Sequence, residues 1–170
     1  NGPSMKFEYY PPRAYFEKIF DAIAQWEPKP VVHFFMGEPT TRKDIIELIE
    51  LAHAKGLTVY LVTNGLKLAD EEYCRKICET GVPVLLGFDG RDPAIYTRMR
   101  KQTSAYEKKL KALENLKKYS KARRNIIMCC TARGVNDAYI GDLIEFCHEH
   151  FSHLKGLYFL PLCETWSTED

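Results

Sequence analysis

Val31-Val32-His33-Phe34-Phe35-Met36-Gly37-Glu38-Pro39-Thr40 carries a short apolar, β-branched and aromatic run straight into a Gly-Glu-Pro turn. A run of that composition is what a parallel strand covered on both faces needs. Gly37 can take a positive φ and let a ligand approach the backbone, while Pro39 lacks an N–H and biases Glu38 toward an extended conformation. Amide and carbonyl groups at the turn can therefore face a small polar ligand. Thr41 as N-cap, with Asp44 three residues on, predicts a helix over Lys43 to Lys55. The result is one β-loop-α unit. Ligands bind such units at the C-terminal ends of the strands, which is where Glu38 falls.

The same unit recurs outward from this stretch. Upstream, Phe7 to Pro12 is an extended lead-in, and a helix from Ala14 to about Trp26 places Tyr15, Phe16, Ile19, Phe20 and Ile23 at helical spacing before Pro28 and Pro30 end it. Downstream, the second helix buries Ile45, Leu48, Ile49 and Ala52 and stops at Gly56. A strand Thr58 to Val62 then exits through Thr63-Asn64-Gly65. Asp70 caps a helix Glu71 to Thr80, and the strand Val82 to Phe88 exits through Asp89-Gly90. A short helix Pro93 to Met99 precedes a long one, opened by Ser104 with Glu107, that turns Leu110, Leu113 and Leu116 inward as far as Tyr119. The strand Asn125 to Thr131 exits through Arg133-Gly134-Val135-Asn136-Asp137. Asp137 caps a helix carrying Ile140, Leu143, Ile144, Cys147 and Phe151, and Gly156 to Leu160 is a fifth strand. The strands start about 25 to 42 residues apart, the size of a βαβ repeat, so right-handed crossovers make the sheet parallel. Periodicity fits an open doubly wound sheet or an incomplete barrel equally well. The exit loops add that every polar turn lies at a strand C-terminus, converging on one face around a ligand.

Composition bounds the reading. A chain of 170 residues, 45% hydrophobic, can bury one good core, and a formal charge of +1 exerts no global pull on nucleic acid or anionic membrane. No apolar run approaches a membrane span and no signal-peptide core is present, which predicts a cytoplasmic protein. Six cysteines, Cys129-Cys130 adjacent among them, read as reduced thiols rather than a secreted disulfide framework. Residues 1–5 read as an expression scar, 6–166 as one domain, and 167–170 as a tail toward a further C-terminal region.

Met36-Gly37-Glu38-Pro39-Thr40, Thr63-Asn64-Gly65-Leu66, Phe88-Asp89-Gly90 and Arg133-Gly134-Val135-Asn136-Asp137 together resemble, in order and spacing, the radical S-adenosylmethionine (radical SAM) enzymes. Within them the chain is most similar to the metallo-cofactor biosynthesis branch related to the tetraether lipid synthases. The resemblance implies an α/β fold, an incomplete (partial TIM-type) parallel β/α barrel of about five strands. It implies that Met36, Gly37, Glu38 and Pro39 hold the cofactor's methionine amino group, that Thr63 and Asn64 line the floor near methionine and ribose, and that Asp89 accepts from ribose hydroxyls. Thr131 and Arg133 would stand near its carboxylate and adenine, with Asn136 and Asp137 as helix caps. It further implies S-adenosylmethionine and a [4Fe–4S] cluster in the complete protein, and a reductant such as flavodoxin or ferredoxin. The sequence departs from the family at one point. Radical SAM enzymes hold the cluster by a Cys-x3-Cys-x2-Cys loop after the first strand. Here Cys74-x3-Cys78 lies in a predicted helix with Gly81 where the third cysteine belongs, and reads as buried structure. With no strand before the first helix either, the chain reads as a piece of a longer enzyme that starts after the cluster loop, retains no cofactor and is inactive by itself.

Other residues carry a plainer and a sharper reading. His33 alternates within its strand and suits a substrate contact or a core histidine. Cys147 with His148, His150 and His153 invites zinc, but His148 and His150 point to different sides of a helix, which favours solvated surface. Cys163 and Glu164 follow the last strand and are candidates for an auxiliary cluster or a substrate contact. Arg98 to Arg124 holds eleven Lys or Arg against two Glu, with Tyr106 and Tyr119 its sole aromatics, and reads as a solvated helix face rather than a nucleic-acid platform. Three functions therefore stand: a radical SAM enzyme acting on a cofactor-biosynthesis or lipid-type substrate; a divalent-metal hydrolase barrel using His33, Glu38 and Asp89; and a non-catalytic nucleic-acid or partner-binding module.

Overall fold

Each apolar run becomes a strand of one sheet in the computed structural model of the protein, which describes residues 10–35, 37–101, 104–121, 124–150 and 152–162. The strands are β1 (Val31–Phe34), β2 (Thr58–Thr63), β3 (Val84–Gly87), β4 (Asn125–Thr131) and β5 (Leu154–Pro161), all parallel and in the order β1-β2-β3-β4-β5. Between them run α1 (Arg13–Ile23), α2 (Ile45–Ala54), α3 (Glu71–Glu79), α4 (Pro93–Arg100), α5 (Ala105–Tyr119) and α6 (Ile140–Glu149). A sheet wound in one direction with right-handed crossovers keeps its helices on one side, as in a barrel, whereas a doubly wound sheet reverses at a switch point. That resolves the choice that periodicity left open.

Burial follows the winding. Val59, Leu61, Val84, Leu86, Ile127 and Cys129 alternate toward the helices and join Ile49, Ile77, Leu113, Leu116 and Leu143 in one core. On the other, concave face, His33, Tyr60, Val62, Ile126, Met128 and Tyr158 are half-buried or exposed. His33 stacks on Tyr60 across the β1–β2 pair, with ring centroids 5.2 Å apart. Cys129 and Cys130 face opposite sides, Cys129 in the core and Cys130 on the concave face.

Several helix starts differ from the sequence reading. Pro39–Thr41 forms a 3-10 turn whose first free amide is met by the Glu38 side chain, and Thr41 donates its hydroxyl back to the Glu38 carbonyl at 2.7 Å instead of capping α2. Asp44 is occupied by Arg42, 2.6 Å away, so α2 begins only at Ile45. Neither Ser104 nor Asp137 caps a helix with its side chain, whereas Asp70 accepts from the Tyr73 amide as its position predicts. β5 begins earlier than Gly156 because Leu154 already pairs with Asn125 before a register shift. The basic segment turns Lys108, Lys111, Lys117 and Lys118 outward on α5, where Lys111 pairs with Glu114 and Lys118 with Glu71. Among the described residues no helix is long and apolar enough to cross a membrane.

Candidate functional site

Glu38, at the exit of β1, is the joint of the site. Its Oε1 accepts from the Thr40 amide at 3.1 Å and from the Thr40 and Thr63 hydroxyls at 2.6 Å each, and its Oε2 accepts from the Asn64 amide at 2.7 Å. A single carboxylate thereby fastens the first exit loop to the second. Gly37, at φ +60°, turns the chain just before it, with open space where a Cβ would stand. Buried Thr40 extends the joint, since its carbonyl accepts from Lys67 Nζ at 2.9 Å and the Tyr73 hydroxyl at 3.3 Å. Burial and then the Glu38 charge push the Tyr73 hydroxyl up to about 12, so it stays a proton donor. A groove of about 320 Å³ opens beside these groups, lined by Glu38, Thr40, Thr41, Asn64, Leu66 and Lys67.

The second loop is tied to the third from below. Lys109, on α5 and only 4% exposed, donates its ammonium protons to the Asn64 carbonyl at 2.6 Å and to the Gly87 carbonyl. It also lies over the Tyr96 ring, 5.8 Å from the centroid. Asp89, past the end of β3, is buried and bound on both oxygens: Oδ1 accepts from the Cys130 amide at 3.0 Å and from Arg100 Nη2 at 3.2 Å, and Oδ2 from Arg100 Nε at 3.1 Å. The Tyr96 hydroxyl accepts from the Asp89 amide and donates to the Gly90 carbonyl, which fixes that turn. Asn136 brings in the fourth loop, donating to the Asp89 and Cys130 carbonyls at 2.8 Å each and accepting from the Ala132 amide at 2.7 Å.

The expected residues are thus gathered at one end of the sheet, but several roles change. Glu38, Thr63 and Asn64 meet directly. Asp89 belongs to the same rim, yet its carboxylate faces Arg100 rather than standing free. Pro39 opens the 3-10 turn, Thr131 is half-buried with its hydroxyl 3.9 Å from Cys129 Sγ, and Arg133 is exposed. Asn136 is no helix cap: it is buried as a bridge between loops, while Asp137 accepts from the Gly134 amide. Met36, Cys163 and Glu164 lie outside the described residues.

The hydrolase reading is not supported. His33 is held against Tyr60, Glu38 takes four protein donors and Asp89 is bound by Arg100 and the Cys130 amide, and among the described residues no three His, Cys, Asp or Glu side chains could hold a metal ion. Cys74 and Cys78 face each other in α3 at 4.0 Å between sulfurs, buried in the core. The histidines do not form a solvated face throughout. His153 is 2% exposed with neither ring nitrogen bonded, and His150 packs edge-on to it at 5.7 Å between centroids.

Lys109 and Arg100 were hidden from sequence reasoning by the basic segment around them. A signal for Lys109 existed: it falls at helical spacing from Ala105, Ala112, Leu113 and Leu116, so it occupies a core position of α5. Arg100, at the end of α4, gave none.

Residues 3–147 match the family model of the radical SAM superfamily. The chain is 35% identical over 145 residues to the 7,8-dihydro-6-hydroxymethylpterin dimethyltransferase of Methanocaldococcus jannaschii, covering 84% of this chain and 28% of that protein. It is 34% identical over 98 residues to the Fe-coproporphyrin III synthase of Methanosarcina barkeri, covering 57% of this chain and 24% of that protein. The chain thus spans about a quarter of the length of these curated relatives. Among solved structures, archaeal TYW1 superposes with a TM-score of 0.61 at 22% identity, over 90% of this chain and 58% of that one. TYW1 with a lysine-pyruvate adduct bound gives 0.61 at 24% identity, over 88% and 55%. That likeness is one of fold, and it agrees with the partial barrel.

Proposed function

This chain belongs to the radical SAM superfamily, and we propose that in the complete protein the rim formed by Gly37, Glu38, Pro39, Thr63 and Asn64 receives the methionine end of S-adenosylmethionine. The observation that carries this reading is the fixed Glu38 carboxylate at the groove. An α-ammonium wants a carboxylate and backbone carbonyls, and Oε2, with one protein donor, keeps a lone pair for it. Asp89 comes within reach of ribose hydroxyls when Arg100 swings off it, an exchange open to a guanidinium that is 40% exposed. Thr131 and Arg133 are proposed near the carboxylate and adenine.

In the complete protein a bound cluster and S-adenosylmethionine would supply the family's 5′-deoxyadenosyl radical chemistry, with electrons from a carrier such as flavodoxin or ferredoxin. The cysteines of this sequence do not fit a [4Fe–4S] cluster. No Cys-x3-Cys-x2-Cys run occurs, and Cys74 and Cys78 are turned into the core. The part left to these residues is to bind, orient and exclude water. Relatives named for a pterin and for a porphyrin support a cofactor-biosynthesis substrate over a lipid-type one.

Equilibrium dialysis of the complete, cluster-reconstituted protein with radiolabelled S-adenosylmethionine tests the reading. Wild type should bind, and Glu38→Ala should bind at least tenfold more weakly. Equal binding by both proteins, or none by wild type, would overturn it.

A further inference from the structure

We infer that Lys109 is a positioning residue of this rim: its ammonium, seated between the ends of β2 and β3, holds the Thr63-Asn64-Gly65 turn and the Asp89-Gly90 turn at a fixed spacing. The ligand part of the inference rests on the proposed S-adenosylmethionine reading, whereas the loop part stands on geometry alone.

Three observations carry it. The Nζ atom bonds two carbonyls from different strands, Asn64 and Gly87, and so crosses the seam between the second and third loops. Those loops also bear the groups that meet Glu38 and Arg100, so one buried cation lies beneath both halves of the rim. Finally, the side chain sits at a core position of a helix whose other lysines face outward, and a long charged side chain is kept there only when its head is fully bonded.

The charge on Lys109 is finely balanced. Burial pulls its pKa down to about 8, Asp89 and Glu38 oppose that, and Arg100 adds to it, while Tyr96 from α4 offers its ring face. Loss of the proton leaves a neutral amine with weaker bonds to both carbonyls. The spacing of the two turns therefore loosens above neutral pH, and ligand affinity should fall with it.

The test uses amide NMR of the purified chain from pH 6.5 to 9.5, with S-adenosylhomocysteine binding measured in parallel on wild type, Lys109→Arg and Lys109→Gln. In wild type the Gly65, Asp89 and Gly90 amide shifts should titrate together with a midpoint near 8, and affinity should fall about fivefold across that range. In Lys109→Gln both responses should be flat, with affinity about tenfold below wild type at pH 7. Lys109→Arg should bind with its pH response removed. Amide shifts that do not titrate in wild type, which needs no variant to fold, overturn the inference, as does a titration that persists in Lys109→Gln. Titrating amides with no binding of S-adenosylhomocysteine at any pH would leave the loop assignment standing and refute the ligand reading.

Discussion

Glu38→Gln exchanges an oxygen that accepts for an amide nitrogen that donates, at the one side chain that fastens two loops together. The carboxylate takes four hydrogen bonds, three on Oε1 and one on Oε2. With the amide oxygen in the Oε1 position, three charge-assisted bonds become neutral ones, a loss of about 1 kcal/mol each before solvent recovers part of it. The amide NH2 then opposes the Asn64 N–H, leaving two donors facing each other at a cost of about 1–3 kcal/mol. Glu38 is half-buried, and the threonine hydroxyls can rotate toward water, so roughly 3 kcal/mol is a fair net value for local opening. Because 1.36 kcal/mol is a factor of ten, the Asn64 amide should lose about 100-fold in hydrogen-exchange protection. Amides in the middle of β4 should keep theirs. Asn64 protection within threefold of wild type would show that the carboxylate does not hold the loops, and the site as described would fail.

Acidification should destabilise the fold through His153. Burial, then the neighbouring His150 and Lys117, push its pKa down to about 4. The unfolded chain therefore binds a proton that the folded chain refuses as pH falls from the ordinary imidazole value of 6.5 toward 4. Stability is full above that window and about 2–3 kcal/mol lower at its acid end, read as a drop in urea midpoint between pH 7 and 4.5 that His153→Phe should reduce. Arg100→Ala strips Asp89 of its cation and leaves a buried carboxylate on the Cys130 amide alone, which should cost about 2 kcal/mol in thermal unfolding. No change in midpoint would mean that the pair contributes nothing. Gly65→Ala should cost about 3 kcal/mol, since φ is +80° and the new Cβ would stand 2.1 Å from Leu86 Cδ1, whereas Gly81→Ala, at φ +77° in open space, should cost only about 1. Equal effects from the two would refute the packing argument.

The strand and loop order was legible because it depends on local signals that nothing distant overrides. Asn125 to Thr131 is matched to the residue, and Asp70 caps α3 as its position dictates. What the sequence concealed was competition for the same atoms. Thr41 and Asp44 look like a capping pair, but the Thr41 hydroxyl donates to the Glu38 carbonyl and Arg42 takes Asp44. Asp89 reads as a free acceptor because Arg100 is eleven residues away and its approach depends on how α4 turns back over β3. Lys109 reads as part of a solvated face because it lies among the outward-facing lysines of α5, although helical spacing puts it at a core position. Net composition of a helix says little about the one position that points inward.

The sheet adds each strand beside the one just before it, so every pairing closes a span of a few tens of residues and none waits for a distant partner. Loop-closure entropy grows only logarithmically with span, so the successive steps cost nearly the same. Such a chain can assemble vectorially, in the order in which a ribosome would release it, with β1 and β2 serving as template for β3. On that route the Glu38 clasp between the first two loops can form before Lys109 exists to brace the third.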